Sequence, residues 1–245
     1  MKTKSDLAAN REQFWERTDY LMQGGDDDSN GRKAWFARVV ALYNPKSVLE
    51  LGCNEGSNLR RIRNLNPAIR LAGLEINPDA VKVAQATLPG AHIVCGSIYD
   101  ADTFFKEQEF DLVFSMGVLI HVPPDTVEEV RDQSLRLAKR VVLHCEEHSL
   151  NPKPMRFDNG VPHRWSHNYL ALYAGYPVRV YDNIVGSADG AHHLAVVEVG
   201  AKTSAGFLAR VRVWYLCRLL PFVDKWQKRM QLRWQVRGPI RFFLP

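Results

Sequence analysis

The chain has 245 residues, 46% hydrophobic and 24% charged, an ordinary globular composition that can bury one substantial core with appendages. Its four cysteines lie too far apart for a zinc knuckle or redox dithiol, the start runs into Ala8-Ala9-Asn10-Arg11-Glu12 rather than an apolar signal segment, and no apolar run reaches transmembrane length, so reduced thiols in a cytoplasmic protein are expected. The net charge of +5 divides unevenly: residues 201–245 hold ten basic residues and one acid, leaving 22 of the 32 basic and 26 of the 27 acidic residues to a slightly acidic body.

In chain order, Leu7 to Met22 is polar with scattered aromatics (Phe14, Trp15, Tyr20) and predicts a helical arm that ends at Gly24-Gly25. Trp35, Phe36, Val39, Val40 and Tyr43 recur at helical spacing over Arg32 to Tyr43, and Asn44-Pro45 stops that helix. Short apolar runs then alternate with helical patterns. Strands are expected at Ser47–Leu51, Arg70–Leu74, His92–Cys95, Phe110–Met116 and Arg140–His144, with helices through Leu59–Leu65, Asp79–Thr87 and Asp125–Ala138. Such alternation means right-handed crossovers and an α/β fold: a doubly wound, mostly parallel sheet covered on both faces. Beyond Cys145 the rhythm changes. Leu150 to Trp165, rich in Pro, Asn and Gly, predicts a long loop, followed by a short helix near Ser166–Tyr173. Pro177–Ile184 and His192–Val199 predict two strands that pair antiparallel and close one sheet edge. The domain organisation is then an arm or lid at 1–31, a body at 32–204 and a basic amphipathic helical tail at 205–245.

In a doubly wound sheet, ligands bind beyond the carboxyl ends of the strands where strand order reverses. The first strand ends Glu50-Leu51-Gly52-Cys53-Asn54-Glu55-Gly56-Ser57-Asn58. A dinucleotide G-x-G-x-x-G frame beginning at Gly52 needs glycines at positions 54 and 57, which are Asn54 and Ser57. The frame present, acid-x-Gly-x-Asn-x-Gly, suits a cofactor whose methionine end, rather than a pyrophosphate, rests on the loop. Glu75 closes the second strand, where a carboxylate either accepts both ribose hydroxyls of a nucleoside or is simply a solvated strand-end acid.

Val48 to Gly56, Gly73 to Pro78, Cys95 to Ile98 and Phe110 to His121, in this order and at these separations, resemble class I S-adenosylmethionine-dependent methyltransferases over roughly residues 35 to 200. The resemblance implies S-adenosyl-L-methionine as cofactor. It implies Glu50 at the methionine ammonium, Gly52, Cys53, Asn54, Gly56 and Asn58 around the amino-acid portion, and Glu75 and Ile76 at the ribose. Ser97 and Ile98 would sit at the adenine, and Ser115, Met116 and Gly117 would form the floor near the sulfonium. The sequence departs from the usual family pattern at Asn54, normally glycine, and at Ser97, often an acid. More narrowly, Asn54, Glu75-Ile76-Asn77-Pro78, Gly96-Ser97-Ile98 and Gly117 to His121 look like the methylases associated with pseudaminic acid and related surface-sugar biosynthesis.

Methyl transfer requires no nucleophile motif, but an oxygen acceptor benefits from a general base. Catalytic candidates are Glu147, His148 and His163, with His121 either at the active site or packed at a helix start. Imidazole and carboxylate here could instead hold a divalent metal, but the spacings match no known ligand frame, and solvated loop residues are the plainer alternative for Glu147, His148 and His163. Arg164 and Trp165 could hold a sugar. In the tail, Val223, Trp226, Met230 and Trp234 share one helical face against Lys225, Lys228 and Arg229, which suits an anionic membrane surface or docking on the domain or a second subunit. Nucleic acid is the poorer partner for an acidic body without a recognised RNA-binding module. The expected function is methylation of a hydroxyl of a sugar or glycoconjugate, in the cytoplasm or at the inner membrane surface. The alternatives are another small metabolite as acceptor, or a non-catalytic nucleotide-binding scaffold.

Overall fold

The structure, a computed structural model, describes residue 15 and residues 31–158, 161–182, 184 and 192–200, with the side chains of residues 155–163 excepted. The helical arm, apart from Trp15, and the amphipathic tail predicted above lie outside the described residues.

Helix α1 (Arg32–Leu42) buries Trp35, Phe36, Val39 and Val40, and Asn44 at φ 45° turns the chain into β1 (Ser47–Leu51). Every residue of β1 is buried, as are the last five of β2 (Arg70–Glu75), because parallel strands are covered on both faces. Between them runs α2 (Ser57–Leu65). Helix α3 (Pro78–Thr87) begins where the Asn77 side chain accepts hydrogen bonds from the N–H groups of Asp79 and Ala80, with Pro78 at the first helical position. There follow β3 (His92–Cys95), α4 (Ala101–Phe104), β4 (Phe110–Met116), α5 (Val127–Leu137), β5 (Ala138–Glu147), β6 (Pro154–Asp158), β7 (Val161–Trp165), α6 (Tyr169–Leu172), β8 (Val178–Tyr181) and β9 (His192–Glu198).

Seven strands form one sheet in the order β3-β2-β1-β4-β5-β9-β8. The first five are mutually parallel, and β9 runs antiparallel to both β5 and β8. This is the expected doubly wound, mostly parallel sheet with an antiparallel closing edge. One core layer packs α1 on the sheet, Phe36 meeting Phe114 at 5.0 Å between ring centroids; the other gathers Leu49, Leu51, Val113, Tyr169 and Tyr173. Each such buried large side chain contributes about 1.5–3 kcal/mol. Strand order reverses between β1 and β4, which opens a crevice beyond their carboxyl ends.

Two expectations need correction. The predicted loop from Leu150 to Trp165 contains the antiparallel pair β6–β7, whose prolines and glycine disguise the strand pattern. Strand β5 is twice its predicted length: it runs on past His144 through Glu146 and Glu147, buried polar residues that read as the end of the apolar run, and it begins at Ala138, where the preceding helix is expected to end. Among the described residues no helix is long and apolar enough to cross a membrane.

Candidate active site

At the end of β1 the Glu50 carboxylate is buried and its Oε1 accepts a 2.7 Å hydrogen bond from Asn58 Nδ2 at the start of α2. Glu50 Oε2 and Asn58 Oδ1 are both buried acceptors without a hydrogen-bond partner among the described residues. Burial pushes the Glu50 carboxyl up to about 8; the Asn58 bond opposes the rise, Glu75 adds to it and Lys33 opposes it. The turn that follows is held by Gly52 N–H and Cys53 N–H, which both donate to Leu74 O. Gly52 (φ 69°) admits no side chain, since a Cβ there would lie 2.5 Å from a Val118 methyl. Asn54, which replaces the expected glycine, adopts φ 48°, the left-handed conformation that asparagine tolerates. Cys53 turns its thiol into the core against Gly73, so that only its backbone shapes the crevice.

Glu75 joins two loops. Its Oε2 accepts from Asn54 N–H at 2.8 Å and its Oε1 from Asn77 N–H at 2.9 Å. Burial raises its carboxyl, with the N–H groups of Asn77, Asn54 and Ile76 opposing. Trp15 of the N-terminal arm lies across the same opening: its carbonyl accepts from Asn77 Nδ2 at 3.1 Å and its ring meets His121 at 4.5 Å. After β3, Ser97 and Ile98 are half-buried beside the Glu75 loop, with Gly96 N–H on Glu75 O and Ser97 Oγ accepting from Tyr99 N–H.

At the end of β4, Ser115 is fully buried and Met116 partly so, while Gly117 (φ 70°) borders open space. Ser115 Oγ donates to Glu146 Oε1 at 2.7 Å, and the same oxygen accepts from Val118 N–H at 3.0 Å.

The catalytic candidates sit at the carboxyl end of β5 and the facing loops. Glu147 is buried and ion-paired with Arg164 through Oε1, leaving Oε2 and Arg164 Nε buried without partners among the described residues. His148, half-buried, is bridged to His167, and its ring lies 5.5 Å from that of His193; burial, then the His193 charge, lowers its pKa. His163 falls in β7, but its side chain lies outside the described residues. His121 ends a short 3-10 turn, Leu119–His121, against Trp15. Thus Glu50, Gly52, Asn54, Gly56, Asn58, Glu75, Ser115 and Gly117 gather around the β1–β4 crevice, with Glu147 and His148 at its β5 side.

The sequence places Glu146 and His167 on the acceptor side of the sheet without giving either a role, and it does not reveal His144 and Tyr173 as parts of this region. His167 is buried, its Nε2 facing Leu119 O at 2.9 Å and Val122 O at 3.0 Å, which ties the segment after β7 to the turn after β4. The available signal was three polar residues, His144, Glu146 and Glu147, directly after the apolar run Val141 to Leu143.

Residues 48–140 match a family model described as a methyltransferase domain. The tRNA U34 carboxymethyltransferase of Shewanella denitrificans is 30% identical over 143 residues, 54% of this chain and 42% of that protein. Catechol O-methyltransferase B of Danio rerio is 35% identical over 124 residues, 46% of each chain. The chain therefore spans less than half the length of these curated relatives. Among solved structures, the Burkholderia thailandensis 1,6-didemethyltoxoflavin-N1-methyltransferase, with bound 1,6-didemethyltoxoflavin and S-adenosylhomocysteine, has a TM-score of 0.62 at 17% identity, covering 82% of this chain and 92% of that one. A plantazolicin methyltransferase in complex with S-adenosylhomocysteine has a TM-score of 0.60 at 13% identity, covering 79% and 96%. This chain shares their fold, and the segment that matches the methyltransferase-domain family runs from β1 through α5 to the start of β5.

Proposed function

We propose that this protein transfers a methyl group from S-adenosyl-L-methionine to a hydroxyl of a sugar or glycoconjugate. The observation that carries the cofactor assignment is the pair of buried oxygens without a hydrogen-bond partner among the described residues, Glu50 Oε2 and Asn58 Oδ1, beside a glycine-framed loop. A buried acceptor without a donor is costly, and an ammonium group supplies the donors that both lack. Gly52 and Gly56 give the loop its left-handed turns, with Val118 and Leu88 packed where their side chains would be, and Glu75, with each oxygen holding one N–H, keeps lone pairs for ribose hydroxyls. Ser97 and Ile98 would border the adenine, and Ser115 to Gly117 the reacting end.

The cofactor, when bound, supplies an activated methyl group for in-line displacement. The protein's own task is then to orient the acceptor, exclude water and accept a proton. Glu147 is suited to that last role, because Arg164 holds one carboxylate oxygen and fixes the other, which has no partner among the described residues and can take an acceptor O–H. His148 stands beside it with a lowered pKa that leaves its ring neutral and able to accept. A paired carboxylate and guanidinium, each with a spare hydrogen-bonding atom, suit a polyhydroxylated acceptor. The resemblance to surface-sugar methylases favours the same choice. The basic aromatic tail would bring the protein to an anionic membrane carrying lipid-linked saccharide.

The test is a methyl-transfer assay on a panel of nucleotide-linked and lipid-linked sugars, with catechol and tRNA as competing acceptors. Methylation of a sugar, lost about a hundredfold or more in Glu147→Gln with cofactor binding retained, supports the assignment. Methylation of catechol or tRNA alone overturns it.

A further inference from the structure

Glu146 is a buried carboxyl that the proposed function leaves without a role, although it binds both Ser115 and the Val118 N–H. It follows Cys145 at the end of β5, and its Oε2 is buried without a partner among the described residues. Ser115 has one hydroxyl proton, which goes to Glu146 Oε1, so Ser115 Oγ accepts from His144 Nδ1–H at 2.9 Å. His144 Nε2 is then the acceptor for Tyr173 O–H at 2.6 Å. The chain Tyr173, His144, Ser115, Glu146 runs with one polarity and ends on the carboxylate. That carboxylate also holds Val118 N–H, and the Val118 side chain occupies the space that a Cβ at Gly52 would need. Glu146 therefore pins the loop after β4 against the loop after β1.

Resting on the methyltransferase reading above, we propose that Glu146 is a positioning residue and buried counter-charge: it fixes the Gly117–Val118 turn against Gly52 and makes the crevice prefer the positively charged sulfonium of the cofactor over the neutral thioether left after transfer. Oxygens and charges screened by little water act over several ångströms, so one hydrogen bond of separation from the loop does not silence the carboxylate. Its neighbours do not compete. Burial holds His144 down at about 3, and Tyr169 and Tyr173, raised by burial, also stay neutral near neutral pH. Arg131 and Asp132 pair with each other beyond Tyr173, and Glu147 pairs with Arg164. Burial pushes Glu146 itself up to about 7, with the bonds from Val118 and Ser115 opposing, so it is ionised in mildly alkaline solution. A site built in this way binds the incoming cofactor more tightly than the spent one and eases product exchange.

The experiment is calorimetric titration of the full chain with S-adenosylmethionine and, separately, S-adenosylhomocysteine in mildly alkaline buffer, for wild type and Glu146→Gln. The amide oxygen of glutamine still accepts from Ser115 and Val118, so a purely structural role leaves the ratio of the two affinities unchanged. The expected result is a loss of about tenfold or more in affinity for S-adenosylmethionine, with S-adenosylhomocysteine changed by less than about threefold. Equal change for both ligands, or none, overturns the proposal alone. A wild type that binds neither ligand overturns the cofactor reading as well. If Glu146→Gln does not fold, the same ratio in wild type is followed as pH falls below about 7. A falling ratio supports the counter-charge and a constant ratio overturns it, because the amino-acid portion facing Glu50 is common to both ligands.

Discussion

Substituting alanine at Gly52 and at Gly117 separates backbone strain from steric exclusion at the crevice. Both glycines are left-handed, at φ 69° and 70°, so each alanine costs about 1–2 kcal/mol from conformation alone. At Gly117 the added methyl meets nothing within 4 Å, and the conformational cost is the whole effect. At Gly52 the methyl arrives 2.5 Å from one Val118 methyl and 2.9 Å from the other, and Val118 cannot retreat freely because its N–H is held by Glu146. Overpacking of this kind adds about 1–3 kcal/mol, for a total of about 2–5 kcal/mol. Urea denaturation of the two variants, with m-values compared to exclude a changed unfolded state, measures the difference. Gly52→Ala should be less stable than Gly117→Ala by at least about 1 kcal/mol. Equal destabilisation would refute the claim that Val118 closes the site against Gly52.

The pH dependence of stability tests Glu50. Its native carboxyl stays protonated up to about pH 8 while the unfolded one ionises near its ordinary 4.5, so the native state holds the extra proton and stability falls as pH rises across that window. Glu50→Gln should flatten that slope and, at the alkaline end, stabilise the free protein by roughly 1–3 kcal/mol while weakening S-adenosylmethionine binding; chemical denaturation as a function of pH reads the slope, and an unchanged slope would refute the assignment. Trp15→Ala removes the ring on His121, and should weaken cofactor affinity severalfold, measured by titration, with unfolding free energy changed by less than about 1 kcal/mol. Deleting residues 205–245 should abolish sedimentation with anionic liposomes; retention by the truncated chain would remove the membrane from the proposal.

The strands and crevice were legible because parallel, doubly covered strands read as unbroken apolar runs, and because a glycine frame and a strand-end acid mark where a ligand approaches the backbone. Glu50 lies in β1 and Glu75 ends β2, with Gly52 and Gly56 in the turn between β1 and α2. The pattern failed where polarity and burial part company. His144, Glu146 and Glu147 are polar yet buried, stabilised by Ser115, Tyr173 and Arg164 at positions far away in sequence, which no local periodicity reports. The β6–β7 pair was hidden for the opposite reason, its Pro and Gly content arguing locally for a loop while cross-strand pairing holds a ladder. His167, tied to Leu119 O and Val122 O, is likewise a tertiary decision.

The central claim is the cofactor, and calorimetric titration of the protein with S-adenosylmethionine and with NAD, on wild type and Glu75→Ala, tests it most directly. The account predicts binding of S-adenosylmethionine and not NAD, weakened at least about tenfold by the substitution, since hydrogen bonds to a charged group are worth about 1.5–3 kcal/mol. Binding of NAD, or of neither, would contradict it.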